Sequence, residues 1–164
     1  MAAAFVQSKS ATADAGATTI AAPAFAASVT AGNLLVVWVT WGEVSSITCT
    51  GVSDSLGNTY TAATAFVDGT GQIQRAQMWY KENATGGAAN VVTATFSAST
   101  NLRRIAAHEY SGVATASALD QFTNSVNYQD PAPTTTDGVT STAKTTTADG
   151  EVLFGGTMDT QANA

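Results

Sequence analysis

The sequence predicts an all-β domain, folded as an antiparallel two-sheet sandwich or jelly roll. Short runs of β-branched and aromatic residues recur along the 164-residue chain. Gly, Asn, Asp and Pro separate these runs at intervals of about 8–12 residues, as in many sandwiches. No stretch repeats its apolar residues with the period of a helix. About eight to ten short strands are therefore expected.

The first strands are predicted within residues 5–30, where Ala and Thr are mixed with Ser, Gly and Pro. This mixture favours extended chain and turns over helix. The residues expected to be buried there are Phe5, Ile20, Phe25 and Val29. The strongest strand follows at Leu34–Trp41, between Gly32 and Gly42. Because this strand is almost continuously apolar, we expect it at the centre of a sheet.

The middle of the chain predicts a hairpin and three further strands. Residues 47–62 form the hairpin, and Asp54–Asn58 is its turn. Asp and Asn side chains bond nearby backbone groups, and Gly57 accepts a positive φ at little cost. The three strands that follow are Ile73–Lys81, Val91–Ser97 and Leu102–Tyr110.

The C-terminal part predicts a long loop and two last strands. Residues 123–138 are polar and contain two prolines, which favours a loop. The strands are the Thr-rich Val139–Thr147 and the apolar Glu151–Gly155. The whole chain, residues 1–164, is expected to be one sandwich domain with short flexible tails at about 1–4 and 159–164.

Few side chains are charged, which excludes several partners. Charged residues make up 11% of the chain, against roughly 25% in a typical globular protein. The formal net charge is -6 and the pI is about 4.4. Binding to nucleic acid needs a basic stripe, and the 6 Lys and Arg residues do not form one. An anionic membrane surface is disfavoured for the same reason.

Several segments together resemble a domain of phage virion proteins and of large bacterial surface proteins. They are Gly32–Val37, Ser53–Tyr60, Gly86–Gly87, His108–Val113 and Leu119–Asp120. The similarity spans about residues 5–156 and consists of turns and strand starts at fixed offsets. It implies an immunoglobulin-like or jelly-roll sandwich that serves display and attachment, and it implies no catalytic residues. Domains of this kind usually continue with a further hairpin. Either the last strands are missing here, or the fold is compact without them, or a neighbouring chain supplies a strand; our hypothesis is that a neighbouring chain covers an open sheet edge.

The resemblance implies a non-enzymatic structural protein of a phage virion that decorates or cements the capsid. Its partners would be the major capsid protein or other copies of itself. Met1–Gln7 lacks the basic region of a signal peptide, as expected of a protein that assembles in the host cytoplasm and ends on the virion surface. The alternative is a carbohydrate- or receptor-binding module of a fibre or of a bacterial surface protein, which would be extracellular.

No group of residues predicts an active site, so we assign no catalytic, cofactor-binding or metal-binding residue. A strand directs the neighbours His108 and Glu109 to opposite faces, and Glu109 is expected to bond backbone. One His and one Cys are too few for a zinc site, and Cys49 is expected to be buried. The acidic loop residues Asp54, Asp68 and Asp149 are expected to shape turns, which leaves a shared calcium ion open.

Two aromatic side chains are the remaining candidates for a binding site. Most of them, including Trp38, Trp79, Tyr60 and Tyr80, are expected to fill the core. Trp41 at a strand end and Tyr128 in a loop are the candidates to face a ligand, such as a surface glycan.

Overall fold

The computed structural model describes residues 2–42, 46–63, 67–68, 74–123, 143–147 and 151–156. These residues form strands and connections without a helix, which confirms the all-β class. The strands are β1 (Ala4–Ala13), β2 (Ala17–Ala21), β3 (Leu34–Gly42), β4 (Cys49–Asp54), β5 (Thr61–Ala62), β6 (Val67–Asp68), β7 (Gln74–Lys81) and β8 (Val92–Ser111). All of their pairings are antiparallel. In the described ranges, no helix is long and apolar enough to span a membrane.

Strand β8 organises the fold because its two halves pair with different strands. Residues 92–100 pair with β2 and β4, whereas residues 101–111 pair with β1 and β3. On the far side of β3, β7 extends the larger group, which runs β1-β8-β3-β7-β5. The two halves meet near Leu102, whose φ of 48° lies in the left-handed region.

The continuity of β8 corrects the prediction of two separate strands, Val91–Ser97 and Leu102–Tyr110. The polar stretch between them, residues 98–101, also has extended backbone and belongs to the same strand. Thr100 contributes to this continuity by pairing with Ala17, and Asn101 pairs with Gly42. Polar residues interrupt the apolar pattern here without ending the strand, because their backbones pair with two different strands, β2 and β3.

One apolar core takes side chains from both groups of strands. From β3, the alternate residues Leu35, Val37, Val39 and Trp41 point into it. From the other group, Phe96 of β8 packs on Trp41 with ring centroids 5.5 Å apart. The predicted central position of β3 is confirmed, since β8 and β7 flank it. The arrangement is compatible with a two-sheet sandwich.

The N-terminal strands confirm most of the predicted core, with one correction. Ile20, Phe25 and Val29 are buried as expected. Phe5 was expected to be buried too, yet 58% of its surface is exposed. It lies opposite Tyr110 just before a register shift in β1, and this position directs its ring to the outer side of the sheet.

The described C-terminal residues correct the prediction of two last strands. Residues 143–147, the described part of the predicted strand Val139–Thr147, form no strand, and neither does the predicted strand Glu151–Gly155. In the second segment, exposed and half-buried residues alternate. Phe154 and Gly156 contact a sheet face, while the backbone joins no strand pairing of the described chain. The predicted loop beyond Thr123 and the predicted tail at 159–164 lie outside the described residues.

Candidate functional site

The outer face of the larger strand group carries a cluster of aromatic and apolar side chains. Strand alternation explains it, because the neighbours of the inward-facing β3 residues must point outward. Val36 lies opposite Tyr80 of β7 on one side and opposite His108 of β8 on the other. We call this cluster the aromatic face; its members are Phe5, Leu34, Val36, Trp38, Met78, Tyr80, His108 and Tyr110.

Three rings at one end of the aromatic face are in contact. Phe5 meets His108 edge-on with ring centroids 6.2 Å apart, and it meets Tyr110 edge-on at 5.9 Å. His108 and Tyr110 are stacked with their planes 8° apart. Such pairs contribute about 0.5–1.5 kcal/mol each beyond the area they bury. Partial burial lowers the pKa of His108, so the imidazole is neutral at pH 7 and adds no charge to this surface.

A segment near the C-terminus lies across this face; we call residues Glu151–Gly156 the C-terminal strap. Its Phe154 contacts His108 edge-on with ring centroids 5.0 Å apart, and Tyr110 at 6.5 Å. Gly156 lies against the Trp38 indole so closely that a Cβ there would be 2.6 and 2.8 Å from two ring carbons. Only glycine permits this approach. Leu153, directly before Phe154, is 91% exposed.

Glu109 points the opposite way from His108 and is fully buried. Its carboxylate accepts hydrogen bonds from Gln7 Nε2 at 2.6 Å, Asn33 Nδ2 at 2.6 Å and the backbone N–H of Thr30 at 2.9 Å. These donors offset the loss of hydration of a buried charge. The prediction that the two neighbours face apart and that Glu109 bonds backbone is confirmed, so they do not form an acid–base pair.

Asp54 shapes its turn as predicted. Its Oδ1 accepts the backbone N–H groups of Leu56 and Asn58, both at 3.0 Å. Its Oδ2 accepts the Asn58 amide, the Tyr60 hydroxyl and the Asn90 amide. Burial and the adjacent Asp54 carboxylate raise the pKa of Tyr60 well above its ordinary value, so the phenol remains a donor. Both carboxylate oxygens are thus engaged by groups of the chain itself.

The structure corrects the expectation that Trp41 faces a ligand. Trp41 has no exposed surface, because it packs on Phe96 and donates its indole N–H to Ile47 O at 3.0 Å. Core packing is confirmed for Trp79 and Tyr60, which are both buried in the apolar core. Trp38 and Tyr80 were expected in the core but are half-buried on the aromatic face. The other ligand candidate, Tyr128, lies outside the described residues.

Sequence reasoning missed Phe5, His108, Tyr110 and Phe154 as members of one cluster. The spacing of His108 and Tyr110, two apart in a strand, was a readable signal that they share a face. Their contact with Phe5 depends on the register of β1 against β8. Their contact with Phe154 depends on a residue 44 positions further along the chain than Tyr110. Neither relation can be read from local pattern.

Cys49 and the acidic loop residues complete the set of candidate chemical groups. Cys49 is buried as predicted, and burial raises the pKa of its thiol to about 11. Within the described ranges, no group of three or more His, Cys, Asp and Glu side chains converges. The side chain of Asp68 and all of Asp149 lie outside the described part of the chain.

No family model, curated protein or solved structure matches this chain. The resemblance to phage virion and bacterial surface domains therefore rests on the quoted segments alone.

Proposed function

We propose that this chain is a non-enzymatic structural protein of a phage virion that decorates or cements the capsid surface. The observation that carries the proposal is the aromatic face on a domain with few charges. The centres of protein interfaces are enriched in aromatic residues and depleted of charged ones. A cluster of this composition on an outer sheet surface supports attachment to another protein.

The accessible part of the cluster is at the Phe5 end. Phe5 and its neighbour Val6 are exposed, and so is Leu153 of the C-terminal strap. Covering exposed apolar side chains with a partner stabilises the complex by about 25 cal/mol for each Å² removed from water. This end of the face is therefore the proposed contact with the capsid shell.

Strand β1 offers a second means of attachment. Among the described strands it pairs with β8 alone, and it ends the strand order of the larger group. Its ten residues, AFVQSKSATA, include one charged side chain, Lys9, and no proline. Charges and prolines protect an edge strand from pairing with other chains. The weakly protected edge of β1 supports strand addition by a neighbouring virion protein.

Immunogold electron microscopy of the source particles tests the proposal. An antibody to this chain should label capsid shells at regular positions. Label on cell envelopes or fibre tips would contradict it. In a second assay, recombinant chain is added to particles that lack it; Phe5→Asp should reduce binding at least tenfold, whereas Ser10→Asp, an exposed position on the same strand, should not.

The second candidate function is carbohydrate binding by a fibre or surface protein. The 58% exposed ring of Phe5, with Tyr110 beside it, favours this reading because sugars stack on accessible aromatic rings. A glycan array separates the two candidates. Binding of the wild-type chain that is lost in Phe5→Ala and kept in Thr12→Ala would support a glycan ligand and displace the capsid proposal.

A further inference from the structure

We propose that the aromatic face is a docking site for the C-terminal strap of a second copy of this chain, so that neighbouring copies exchange straps. Within one chain the strap already shows what this face binds: an extended segment with one aromatic ring and a glycine. A second copy has the same segment by necessity. Exchange of identical elements between protomers is a common route to assembly.

The contacts of the strap are of a kind that can form between chains. Phe154 sits edge-on to His108, and Gly156 lies flat on Trp38. No strand pairing of the described residues includes the strap. Its position thus depends on side-chain packing on a surface, which does not require that the strap and the face belong to one chain.

A second attachment accompanies the strap. Thr147 donates its backbone N–H to Asp120 Oδ2 at 2.8 Å and its hydroxyl to Asp120 Oδ1 at 2.7 Å. Thr147 lies only four positions before Glu151, so the chain between the two attachments spans at most about 14 Å. The exchanged contacts are therefore those of Thr147 with Asp120 and those of the strap with the aromatic face of the neighbouring copy.

The connection is long enough for exchange. The chain has 23 residues between Thr123 and Thr147. At roughly 3.3 Å per residue, their maximum reach is about 75 Å, whereas a domain of this size has a radius of gyration of about 15 Å. The covalent connection therefore allows the strap to reach either its own face or that of an adjacent copy.

Concentration selects between the two states. The closed and the exchanged forms make the same contacts, so their free energies differ mainly in the cost of bringing chains together. Copies held side by side on a particle have a high effective concentration, which offsets this cost. In dilute solution the strap therefore closes on its own chain, and in the assembly it is exchanged between copies. This holds for an assembly on any particle.

Cysteine pairs distinguish the two states directly. Asp120→Cys and Thr147→Cys change exposed positions, and the second pair, Trp38→Cys with Gly156→Cys, reports on the strap itself and is made only as a double variant, because Gly156→Cys alone would place a Cβ against the Trp38 ring. The first pair is made both as a double variant and as two single variants that are mixed before oxidation. The buried Cys49, whose thiol pKa is about 11, does not compete; the wild-type chain is the control.

Exchange predicts a covalent dimer of the two mixed single variants, with a yield that rises roughly in proportion to protein concentration. The double variants should close within one chain when dilute. Failure of the mixed variants to cross-link at any concentration, while the double variants close, would overturn the proposal. It also falls if the double variants of both pairs stay reduced, because the strap is then not seated on this face. No virion is needed, so the result is independent of the capsid assignment.

Discussion

At the scale of single residues, Asp54 is the best example of how a turn is held. Five donors converge on its two carboxylate oxygens, and they come from the turn itself and from the loop before β8. The carboxylate thereby joins the end of β4 to the start of β8. Its contribution is to satisfy polar groups that are cut off from water, such as the buried Asn58 and Asn90.

Replacing Asp54 should therefore be costly. Asp54→Ala leaves several buried donors without an acceptor, and each unsatisfied group costs about 1–3 kcal/mol. We expect the free energy of unfolding, measured with urea, to fall by more than about 2 kcal/mol. The control Ser53→Ala changes an exposed neighbour in β4 and should stay within about 0.5 kcal/mol. A similar small change for Asp54→Ala would show that water replaces the carboxylate.

The buried thiol of Cys49 predicts a pH dependence in alkaline solution. Burial raises its pKa from 9.0 to about 11, so the unfolded chain releases this proton at a lower pH than the folded chain. The unfolded state then binds fewer protons, and the free energy of unfolding falls as the pH rises from about 9 to 11. Urea unfolding across this range should show a shallower decline for Cys49→Ala than for the wild type. Equal slopes would mean that the thiol is hydrated.

At the scale of elements, β8 should be the strand least tolerant of added volume. Ala94 has no exposed surface and lies between Ile20 of β2 and Val52 of β4. Overpacking a filled core costs about 1–3 kcal/mol, so Ala94→Leu should lower the free energy of unfolding by that amount. The matched control is Thr95→Leu, one residue along on the exposed side, which should have little effect. Equal effects at both positions would argue against close packing here.

The comparison of sequence and structure is also clearest at this scale. The strand at Leu34–Trp41 and the turn at Asp54–Asn58 were predictable because their signals are local. The inner face of β3 was not predictable, because both faces of this strand are covered and its apolar residues do not alternate with polar ones. Trp38 and Trp41 are an odd number of positions apart and therefore point to opposite faces. Trp41 lies in the core and Trp38 on the aromatic face, which is the reverse of the prediction. The run Val152–Phe154 reads as a strand and lies instead on a sheet face, which only tertiary contacts decide.

At the scale of the whole molecule, the shared strand predicts cooperative unfolding. Neither group of strands is complete without its half of β8, and both contribute to one core. Tryptophan fluorescence reports on Trp41 and Trp79 in that core and on Trp38 of the aromatic face, whereas far-ultraviolet circular dichroism reports on all strands. We expect the two signals to follow a single coincident transition in urea. Separate midpoints would mean that one group of strands survives without the other.

The length of β8 also has a mechanical consequence. Its 20 residues run through both groups of strands, and antiparallel neighbours flank it along each half. A pull applied along β8 loads these ladders in shear, so many backbone hydrogen bonds resist together. A pull across the sheet would instead break them one after another. A domain built around one such strand is expected to withstand tension best along that strand's direction.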